Sequence, residues 1–330
     1  MRVLIPGGAG YCGSALVPAL LARDHEVSVV DPCWFGRGAL PESSSQFSLT
    51  EKDARFLTAE IIGDLFRPDT VILLLGLSND PMSEYWPWGN FELNTALPAY
   101  LALQCKLAGV KKLVNASSCS VYGHVNTPVS ETTPPATQTP YGLSKAAVEV
   151  PIKLLHETGR FETLSFRKGT IGGWSPRMRF DLIVNTMVKD AVGKGVITIN
   201  DPDALRPILA IEDVVAAYVR TVEEPLPTYD RVLNLASENA SVSFIAECVV
   251  EACERQGILA PRIEIKGTKD IRSYSASKVN ANANGFNCPS TIVDIAVSVI
   301  QNLRRSGINS DDCKYNNIKQ LKELRRNGIV

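Results

Sequence analysis

The chain has 330 residues, and its 34 lysines and arginines nearly balance its 35 aspartates and glutamates. This balance argues against a nucleic-acid or acidic-membrane partner held by charge. A hydrophobic content of 45% supports a sizeable core, and the length suggests about two domains. No apolar run approaches the roughly 20 residues of a membrane span, and we expect no signal peptide before a strand that starts at residue 3.

Cysteine and histidine usage indicates the compartment and excludes a class of site. Eight cysteines and three histidines are scattered without a Cys-x-x-Cys pair or a Cys/His cluster. Zinc sites need closely spaced ligands, so the pattern predicts no metal site and no disulfide framework. We expect reduced thiols and a cytoplasmic protein.

The first predicted element is a short apolar strand at residues 3–5, and a glycine cluster and a helical pattern follow it. Gly8-x-Gly10-x-x-Gly13 fits the dinucleotide-binding motif, and Gly7-x-x-Gly10-x-x-Gly13 fits a related form of it. The glycines allow a tight turn and the close approach of a pyrophosphate to the helix N-terminus. The motif therefore predicts a dinucleotide site.

The second apolar strand, at residues 27–30, supports this prediction because it ends at Asp31. A carboxylate about 20 residues after the glycines is what binding of a ribose 2′-hydroxyl requires. The same carboxylate repels a 2′-phosphate, so NAD is predicted rather than NADP.

Strands and helices alternate through the rest of the first half, which predicts a parallel sheet with helices on both faces. The apolar run 70–75 predicts a central strand, followed by a loop at 76–81 where cofactors bind in such sheets. The aromatic-rich segment 82–89 looks like a loop that either covers a pocket or simply packs. Asn94 opens a helix that reaches about residue 108.

Tyr141 and Lys145 are the second strong signal. They lie four residues apart at the start of a predicted helix, so they share one helix face. They follow the strand 112–118, which ends at Ser118. An ammonium beside a phenol favours the phenolate, which provides a general acid/base near neutral pH.

The alternation becomes irregular after residue 169. We predict a Rossmann-type doubly wound parallel sheet with a smaller, discontinuous C-terminal α/β substrate domain. Residues 1–168 would form the NAD-binding domain, to which 205–224 return, and 169–330 would form mostly the substrate domain. Helices are expected at 180–192 and 242–256, a strand at 262–265, and a basic helix with a solvated face at 318–326.

Together these motifs resemble the extended short-chain dehydrogenase/reductase family, in particular its NAD-dependent nucleotide-sugar epimerases and dehydratases of the UDP-glucose 4-epimerase type. The matching residues are Gly7 to Gly13, Asp31, Asn94, Ser117 to Gly123, Tyr141, Lys145, Arg167, and the run from Arg206 to Asp213. The resemblance implies a homodimer that pairs through the helices after Asn94 and from Tyr141.

The resemblance also implies residue roles. Ser118 would bind the sugar hydroxyl and the phenol, Tyr141 would be the acid/base, and Lys145 would bind the nicotinamide ribose and tune Tyr141. The implied cofactor site consists of Gly7, Gly10, Tyr11, Cys12, Asp31, Asp53, Leu75, Asn94, Tyr141 and Lys145. The implied substrate site consists of Ser118, Thr170, Arg177, Asn185, Arg206 and Arg272. Asp53 is alternatively an ordinary surface acid, and Arg206 and Arg272 could instead form surface salt bridges.

Two departures from the family pattern bear on function. Lys168-Gly169-Thr170 stands where family epimerases often carry Tyr-Phe-Asn, and Cys119-Ser120 stands where 4,6-dehydratases carry Asp-Glu. The second departure disfavours a dehydratase, and we expect Cys119 to be a buried, inert thiol.

The predicted function is therefore epimerisation of a nucleotide-diphosphate sugar, by transient hydride transfer to tightly bound NAD and a keto-sugar intermediate. The alternatives are an NAD(P)-dependent nucleotide-sugar reductase, dehydrogenase or dehydratase, and a non-catalytic cofactor-sensing protein.

Overall fold

The computed structural model describes residues 1–125, 127–267 and 273–330. Its strands are β1 (Arg2–Pro6), β2 (Glu26–Val30), β3 (Phe47–Thr50), β4 (Thr70–Leu73), β5 (Lys112–Ser118), β6 (Glu162–Lys168), β7 (Thr170–Gly172), β8 (Val196–Ile199), β9 (Leu205–Ala210), β10 (Val232–Leu235), β11 (Glu238–Ser241) and β12 (Arg262–Ile265).

The helices alternate with these strands. They are α1 (Tyr11–Leu21), α2 (Ala59–Ile61), α3 (Asp80–Tyr85), α4 (Pro87–Phe91), α5 (Leu97–Leu107), α6 (Pro140–Leu155), α7 (Ile183–Lys194), α8 (Ile211–Glu223), α9 (Val242–Arg255), α10 (Val279–Ala283), α11 (Ile292–Ser306) and α12 (Asn317–Arg326). Short 3₁₀ turns cover Ala54–Phe56, Cys119–Tyr122 and Cys313–Tyr315, and π-helical turns cover Ile62–Phe66 and Glu92–Ala96.

Seven strands form a fully parallel sheet in the order β10-β6-β5-β4-β1-β2-β3. The chain runs from β1 outward to β3, then returns to β4 on the other side of β1. This reversal leaves a crevice at the carboxyl ends of β1 and β4, which is where ligands bind in open α/β sheets. The predicted Rossmann-type doubly wound fold is confirmed.

Apolar side chains cover both faces of this sheet. On one face, Leu16 and Leu20 of α1 pack in one cluster with Val214 and Tyr218 of α8. On the other face, Leu101 of α5 belongs to a second cluster, which also contains Val148 and Ile152 of α6. Both faces are buried, as near-continuous apolar strands require.

The second half of the chain builds a smaller unit on two further sheets. One is β11-β9-β7 and the other is the parallel pair β12-β8. Its core joins α7, α9 and α11. The chain returns to the main sheet with α8, while the preceding strand β9 pairs in the smaller sheet. It returns again with β10, which pairs with β6 and was not predicted. The domain boundary itself stays a prediction.

The expectation of a loop at residues 82–89 is wrong, because this segment forms α3 and α4. The Asn79 side chain accepts a hydrogen bond from the Met82 N–H at 3.0 Å and caps α3. Pro81 and Pro87 stand in the first turns of the two helices, where proline is tolerated because those N–H groups have no helical acceptor. The prolines therefore start helices here.

Within the described residues, no helix combines the length and the apolar character that a membrane span requires.

Candidate active site

The glycine turn between β1 and α1 is built by close packing within the chain. Gly7 has φ +82°, and a Cβ there would lie 2.3 Å from the backbone nitrogen of Leu75, after β4. A Cβ on Gly13 would lie 2.2 Å from the carbonyl oxygen of Gly8. Gly7 and Gly13 are thus required by the fold, since no side chain fits at either position.

Gly10 differs from these two glycines. Among the described residues, and apart from its own chain neighbours, only the carbonyl oxygen of Gly7 lies within 4 Å of its Cβ position, at 3.5 Å. Gly10 lines the cavity together with Tyr11 and Cys12. In the described part of the chain, no side chain caps the N-terminus of α1 at Gly10. This surface fits the approach of a pyrophosphate to helix N–H groups.

Asp31, directly after β2, lines the same cavity. Its Oδ2 accepts a hydrogen bond from the Ala9 N–H at 3.0 Å, and its Oδ1 accepts one from the Cys33 N–H at 2.7 Å. Burial raises the pKa of this carboxyl, and the two N–H groups oppose the rise. Each carboxylate oxygen keeps a lone pair for further donors, so the group suits ribose hydroxyls.

The other proposed cofactor residues fall into two groups. Leu75 and Asp53 line the cavity, but both oxygens of Asp53 already bind the guanidinium of Arg55, at 2.9 and 2.8 Å. Asn94 is fully buried and is not among the cavity-lining residues. Its Nδ2 donates to the carbonyl oxygen of Leu77 at 2.9 Å, so it holds the loop after β4.

Ser118, Tyr141 and Lys145 meet at one wall of this cavity of about 530 Å³. Ser118 ends β5, and the other two stand in the first turns of α6. Thr139 caps α6 by accepting a hydrogen bond from the Gly142 N–H at 3.1 Å. The Lys145 Nζ lies 5.9 Å from the centroid of the Tyr141 ring. The three side chains are thus brought together, as a hydroxyl, phenol and ammonium group.

A fourth side chain in this wall, Lys168 at the end of β6, was not predicted as a site residue. Burial raises the pKa of Tyr141, while the Lys168 ammonium and a hydrogen bond with Ser118 oppose the rise. Burial, together with the charge of Lys168, also lowers the pKa of Lys145 to about 7. The charge that opposes this rise thus includes Lys168, and the tuning role of Lys145 stays a prediction.

A buried ion pair fixes the strands behind this wall. The Nη2 of Arg167 lies 2.7 Å from Oε2 of Glu149, and its Nη1 donates to the Tyr122 hydroxyl at 2.8 Å. Ser117 donates to the same carboxylate. Arg167, which the resemblance included among the matching residues, therefore joins β6 to α6.

The structure separates the residues proposed for the substrate. Thr170 on β7 and Arg206 on β9 line the cavity. Asn185 is fully buried, and its Nδ2 donates to the Tyr11 hydroxyl at 3.1 Å, so it positions Tyr11. Arg272 lies outside the described residues.

Arg177 also lines the cavity, but on the side of Asp31. Its guanidinium carbon is 4.1 Å from the centroid of the Phe35 ring, and its Nη2 donates to Oδ1 of Asn317 at 2.6 Å. Burial lowers its pKa to about 9, with Arg179 adding to this effect and Asp181 and Asp31 opposing it. Its position favours the nucleoside end of the cofactor over the sugar.

Two further groups of side chains line the cavity. Arg179 and Asp181 form a buried ion pair at 2.9 Å, and Asn79 donates to the same carboxylate at 2.9 Å. Asn317, at the start of α12, bonds Arg177 and donates to the Ser78 hydroxyl at 2.7 Å. Sequence reasoning missed Asn317, because its hydrogen-bond partners are distant in sequence.

Comparison with known proteins places this site in a family. Residues 3–236 match the model of the NAD dependent epimerase/dehydratase family. The chain belongs to this family. A UDP-glucose 4-epimerase of Mycolicibacterium smegmatis is 30% identical over 229 residues, which cover 67% of this chain and 72% of that protein.

Solved structures agree with this membership. The UDP-glucose 4-epimerase of Thermus thermophilus in complex with NAD has a TM-score of 0.76 and 26% identity, covering 93% of this chain and 100% of that one. MoeE5 in complex with UDP-glucuronic acid and NAD has a TM-score of 0.78 and 26% identity, with the same coverage. NAD as cofactor and the predicted nucleotide-sugar epimerase group are confirmed.

Cys119 follows Ser118 in a 3₁₀ turn after β5. Its side chain is fully buried, and its Sγ donates to the carbonyl oxygen of Arg167 at 3.1 Å. Burial raises the pKa of the thiol. The prediction of a buried thiol is confirmed. Among the described residues there is also no group of three or more histidine, cysteine or acidic side chains suited to a metal ion.

Proposed function

We propose that this chain is an NAD-dependent epimerase of nucleoside-diphosphate sugars. The observation that carries the proposal is the shared cavity: the Gly10 turn and Asp31 line one part of it, and Ser118, Tyr141 and Lys145 line another. A cofactor held at the first part can reach a sugar held at the second.

The chain's own residues supply binding and proton transfer. The glycine turn would hold the pyrophosphate, Asp31 the adenosine ribose, and Lys145 the nicotinamide ribose. NAD supplies the site that accepts a hydride from a sugar carbon and later returns it. Tyr141 as phenolate takes the proton of the hydroxyl on that carbon while Ser118 holds the hydroxyl. The keto sugar rotates in the cavity, and Tyr141 then returns the proton to its oxygen.

We propose a uridine diphosphate sugar as the substrate. The names of the M. smegmatis and T. thermophilus relatives support this substrate class. Arg206 supports it chemically, because a buried guanidinium that lines the cavity suits the oxygens of a diphosphate.

The test incubates purified protein with UDP-glucose or UDP-galactose and without added cofactor. Conversion of one sugar into the other, with no net change in NADH absorbance, supports the proposal. A stoichiometric change in NADH, or no turnover of any of a panel of UDP-sugars by protein that contains NAD, overturns it. Tyr141→Phe should lower kcat by about 10²- to 10⁴-fold. Tyr229→Phe is the matched control, because that side chain is 92% exposed.

We also propose a homodimer formed through α5 and α6. The exposed residues of the first helix region are Ala96, Tyr100, Leu103 and Leu107, and those of α6 include Leu143, Ala147, Val150 and Leu154. Both sets repeat with spacings of four, three and four residues, so each forms one apolar stripe. Two adjacent apolar stripes support helix pairing with a second copy.

Sedimentation measures this association. Leu154→Glu, which places a charge on a side chain that is 79% exposed, should yield a monomer. Leu259→Glu is the control, because Leu259 is 91% exposed and lies outside both helices. A wild-type monomer, or a dimer unaffected by Leu154→Glu, contradicts the proposal.

A cytoplasmic location completes the proposed function. All eight cysteines are free, and reduced thiols are typical of cytosolic proteins. Cell fractionation with an antibody to the chain tests the location.

A further inference from the structure

Arg177 is a buried cation whose hydrogen-bond donors are only partly used. The residue is 3% exposed and lines the cavity. Its Nη2 donates to the carbonyl oxygen of Lys314 at 3.2 Å and to Oδ1 of Asn317 at 2.6 Å. Among the described residues, its buried Nε has no hydrogen-bond partner, and no carboxylate forms an ion pair with the guanidinium. This state favours binding of an anion, because burial of an unpaired charge is strongly destabilising.

Three segments at one edge of the main sheet surround this side chain. The backbone N–H of Arg177 donates to the Ser14 hydroxyl in α1 at 3.2 Å. The guanidinium carbon is 4.1 Å from the centroid of the Phe35 ring, in the loop after β2. Asn317 accepts from the guanidinium and donates to Ser78, in the loop after β4. The guanidinium therefore lies between the loops after β2 and β4, beside the start of α1.

This place coincides with the course expected for the middle of the cofactor. In a doubly wound sheet a dinucleotide crosses the crevice with its pyrophosphate at the N-terminus of the first helix. The adenosine ribose would lie at Asp31, after β2, and the nicotinamide beside Tyr141. The pyrophosphate between them would pass the loops after β2 and β4. Residues 7–14 offer it N–H groups and the positive end of a helix dipole, but they include no cationic side chain.

The other cations of the cavity have different surroundings. Among the described lining residues they are Lys145, Lys168, Arg179 and Arg206. The two lysines stand in the catalytic wall, and Arg179 forms an ion pair with Asp181 at 2.9 Å. Arg206 lies on β9 of the smaller sheet, where we assigned it to the sugar nucleotide. Of the lining cations that the structure describes, Arg177 is left to balance the charge of the cofactor.

We propose that Arg177 binds the pyrophosphate of NAD, so that the segment after β7 completes the cofactor site. A planar guanidinium can donate two parallel hydrogen bonds to phosphate oxygens, and the unpartnered Nε suits this geometry. Phe35 and Asn317 hold the guanidinium in place. The proposal replaces the expected role of Arg177 in binding the substrate. It rests on the proposed position of NAD in the cavity, and not on epimerisation of a sugar.

The experiment measures the affinity of cofactor-free protein for NAD, ADP and adenosine. Calorimetry gives the first two affinities, and displacement of fluorescent NADH gives the third. In Arg177→Met, the affinities for NAD and ADP should fall about 10- to 100-fold, because hydrogen bonds to a charged group are lost, while the affinity for adenosine should stay within about twofold. Arg177→Lys should recover part of the loss, since it keeps the charge without the planar pair of donors.

Arg220→Met is the matched control. Arg220 also faces a phenylalanine, with its guanidinium carbon 5.5 Å from the centroid of the Phe286 ring, but it is not among the cavity-lining residues. The affinities of this variant for NAD, ADP and adenosine should equal those of the wild type.

Two results overturn the proposal. One is a folded Arg177→Met protein that binds ADP as tightly as the wild type does. The other is a variant that keeps its affinity for ADP and, when saturated with NAD, loses affinity for UDP, which would assign the guanidinium to the sugar nucleotide. If Arg177→Met does not fold, Asn317→Asp decides, because a carboxylate there pairs the guanidinium. ADP should then bind at least about tenfold more weakly, and an unchanged affinity for ADP overturns the proposal.

Turnover of UDP-sugars is measured separately. A loss of ADP affinity in Arg177→Met, together with a wild type that turns over no UDP-sugar, would refute the epimerase function and leave the role of Arg177 intact. An unchanged ADP affinity in Arg177→Met, together with an active wild-type epimerase, would do the reverse.

Discussion

The two ends of the cavity differ in how their charged side chains are paired. At the cofactor end, the Asp31 carboxylate accepts hydrogen bonds from two backbone N–H groups. Arg177 stacks on the Phe35 ring there and donates a hydrogen bond to Asn317. At the catalytic end, Lys145 and Lys168 crowd the phenol of Tyr141, and burial lowers the pKa of Lys145 to about 7. The charged groups of the first end have hydrogen-bond partners, whereas the second end contains a lysine whose pKa lies near neutrality.

The strongest test of this difference uses two glycines of one turn. In Gly13→Ala the new Cβ would stand 2.2 Å from a backbone oxygen, so α1 must shift and we expect a loss of stability of about 1–3 kcal/mol and loss of NAD. In Gly10→Ala the nearest atom is 3.5 Å away, so the fold should survive while NAD binding weakens. Thermal unfolding and the NAD released on denaturation measure both. Equal loss of stability in the two variants would contradict this account.

A smaller effect is expected from the carboxylates of the cofactor end. Asp31→Asn should weaken NAD binding about 10- to 100-fold, because a hydrogen bond to a charged group contributes about 1.5–3 kcal/mol. Asp53→Asn is the comparison, since Arg55 already occupies both oxygens of Asp53. Calorimetric titration of cofactor-free protein gives both affinities. An equal loss in both variants would show that Asp53 also contacts the cofactor.

At the catalytic end, the lowered pKa of Lys145 should make the stability of the protein depend on pH. Lys145 has a pKa of about 7 in the folded chain against 10.5 as its ordinary value, so the unfolded chain binds more protons between these limits. The free energy of unfolding therefore gains a contribution that rises with pH above 7. Lys145→Met should remove this contribution. The stability of the variant relative to the wild type should therefore be greatest near pH 7 and decline towards pH 9. Denaturant unfolding at several pH values checks this, with Lys153→Met on the exposed face of α6 as control.

The smallest effect is expected at α12. Asn317→Ala removes hydrogen bonds to Arg177 and Ser78, which contribute about 1 kcal/mol each. NAD should then dissociate several-fold faster, as stopped-flow fluorescence can measure. Asn327→Ala, at the exposed far end of α12, should not change this rate. Equal rates of NAD dissociation for both variants and the wild type would show that α12 does not influence release of the cofactor.

The parts of the site that the sequence predicted are those with local spacing. Gly7 to Gly13 form one turn, and Tyr141 and Lys145 lie one helical turn apart, so the distance along the chain determines the geometry. Lys168 was not predicted as a site residue because its place beside Ser118 depends on the register between β5 and β6. Asn317 was not predicted because its hydrogen-bond partners, Arg177 and Ser78, are distant in sequence.

The elements follow the same principle. The apolar runs of the first half predicted strands of the main sheet, since burial on both faces selects such runs. The aromatic-rich segment 82–89 was predicted as a loop, but it forms helices because Pro81 and Pro87 stand in first turns and not inside a helix. The first of these helices begins at the Asn79 cap, which the sequence alone did not identify.

The edge strand β10 has a consequence for synthesis of the chain. Until Leu235 leaves the ribosome, β6 presents unpaired backbone groups at the open border of a finished six-stranded sheet. Open borders of this kind attract other extended chains. A fragment ending at residue 168 would keep that border permanently, so the nucleotide-binding half should aggregate when it is expressed alone.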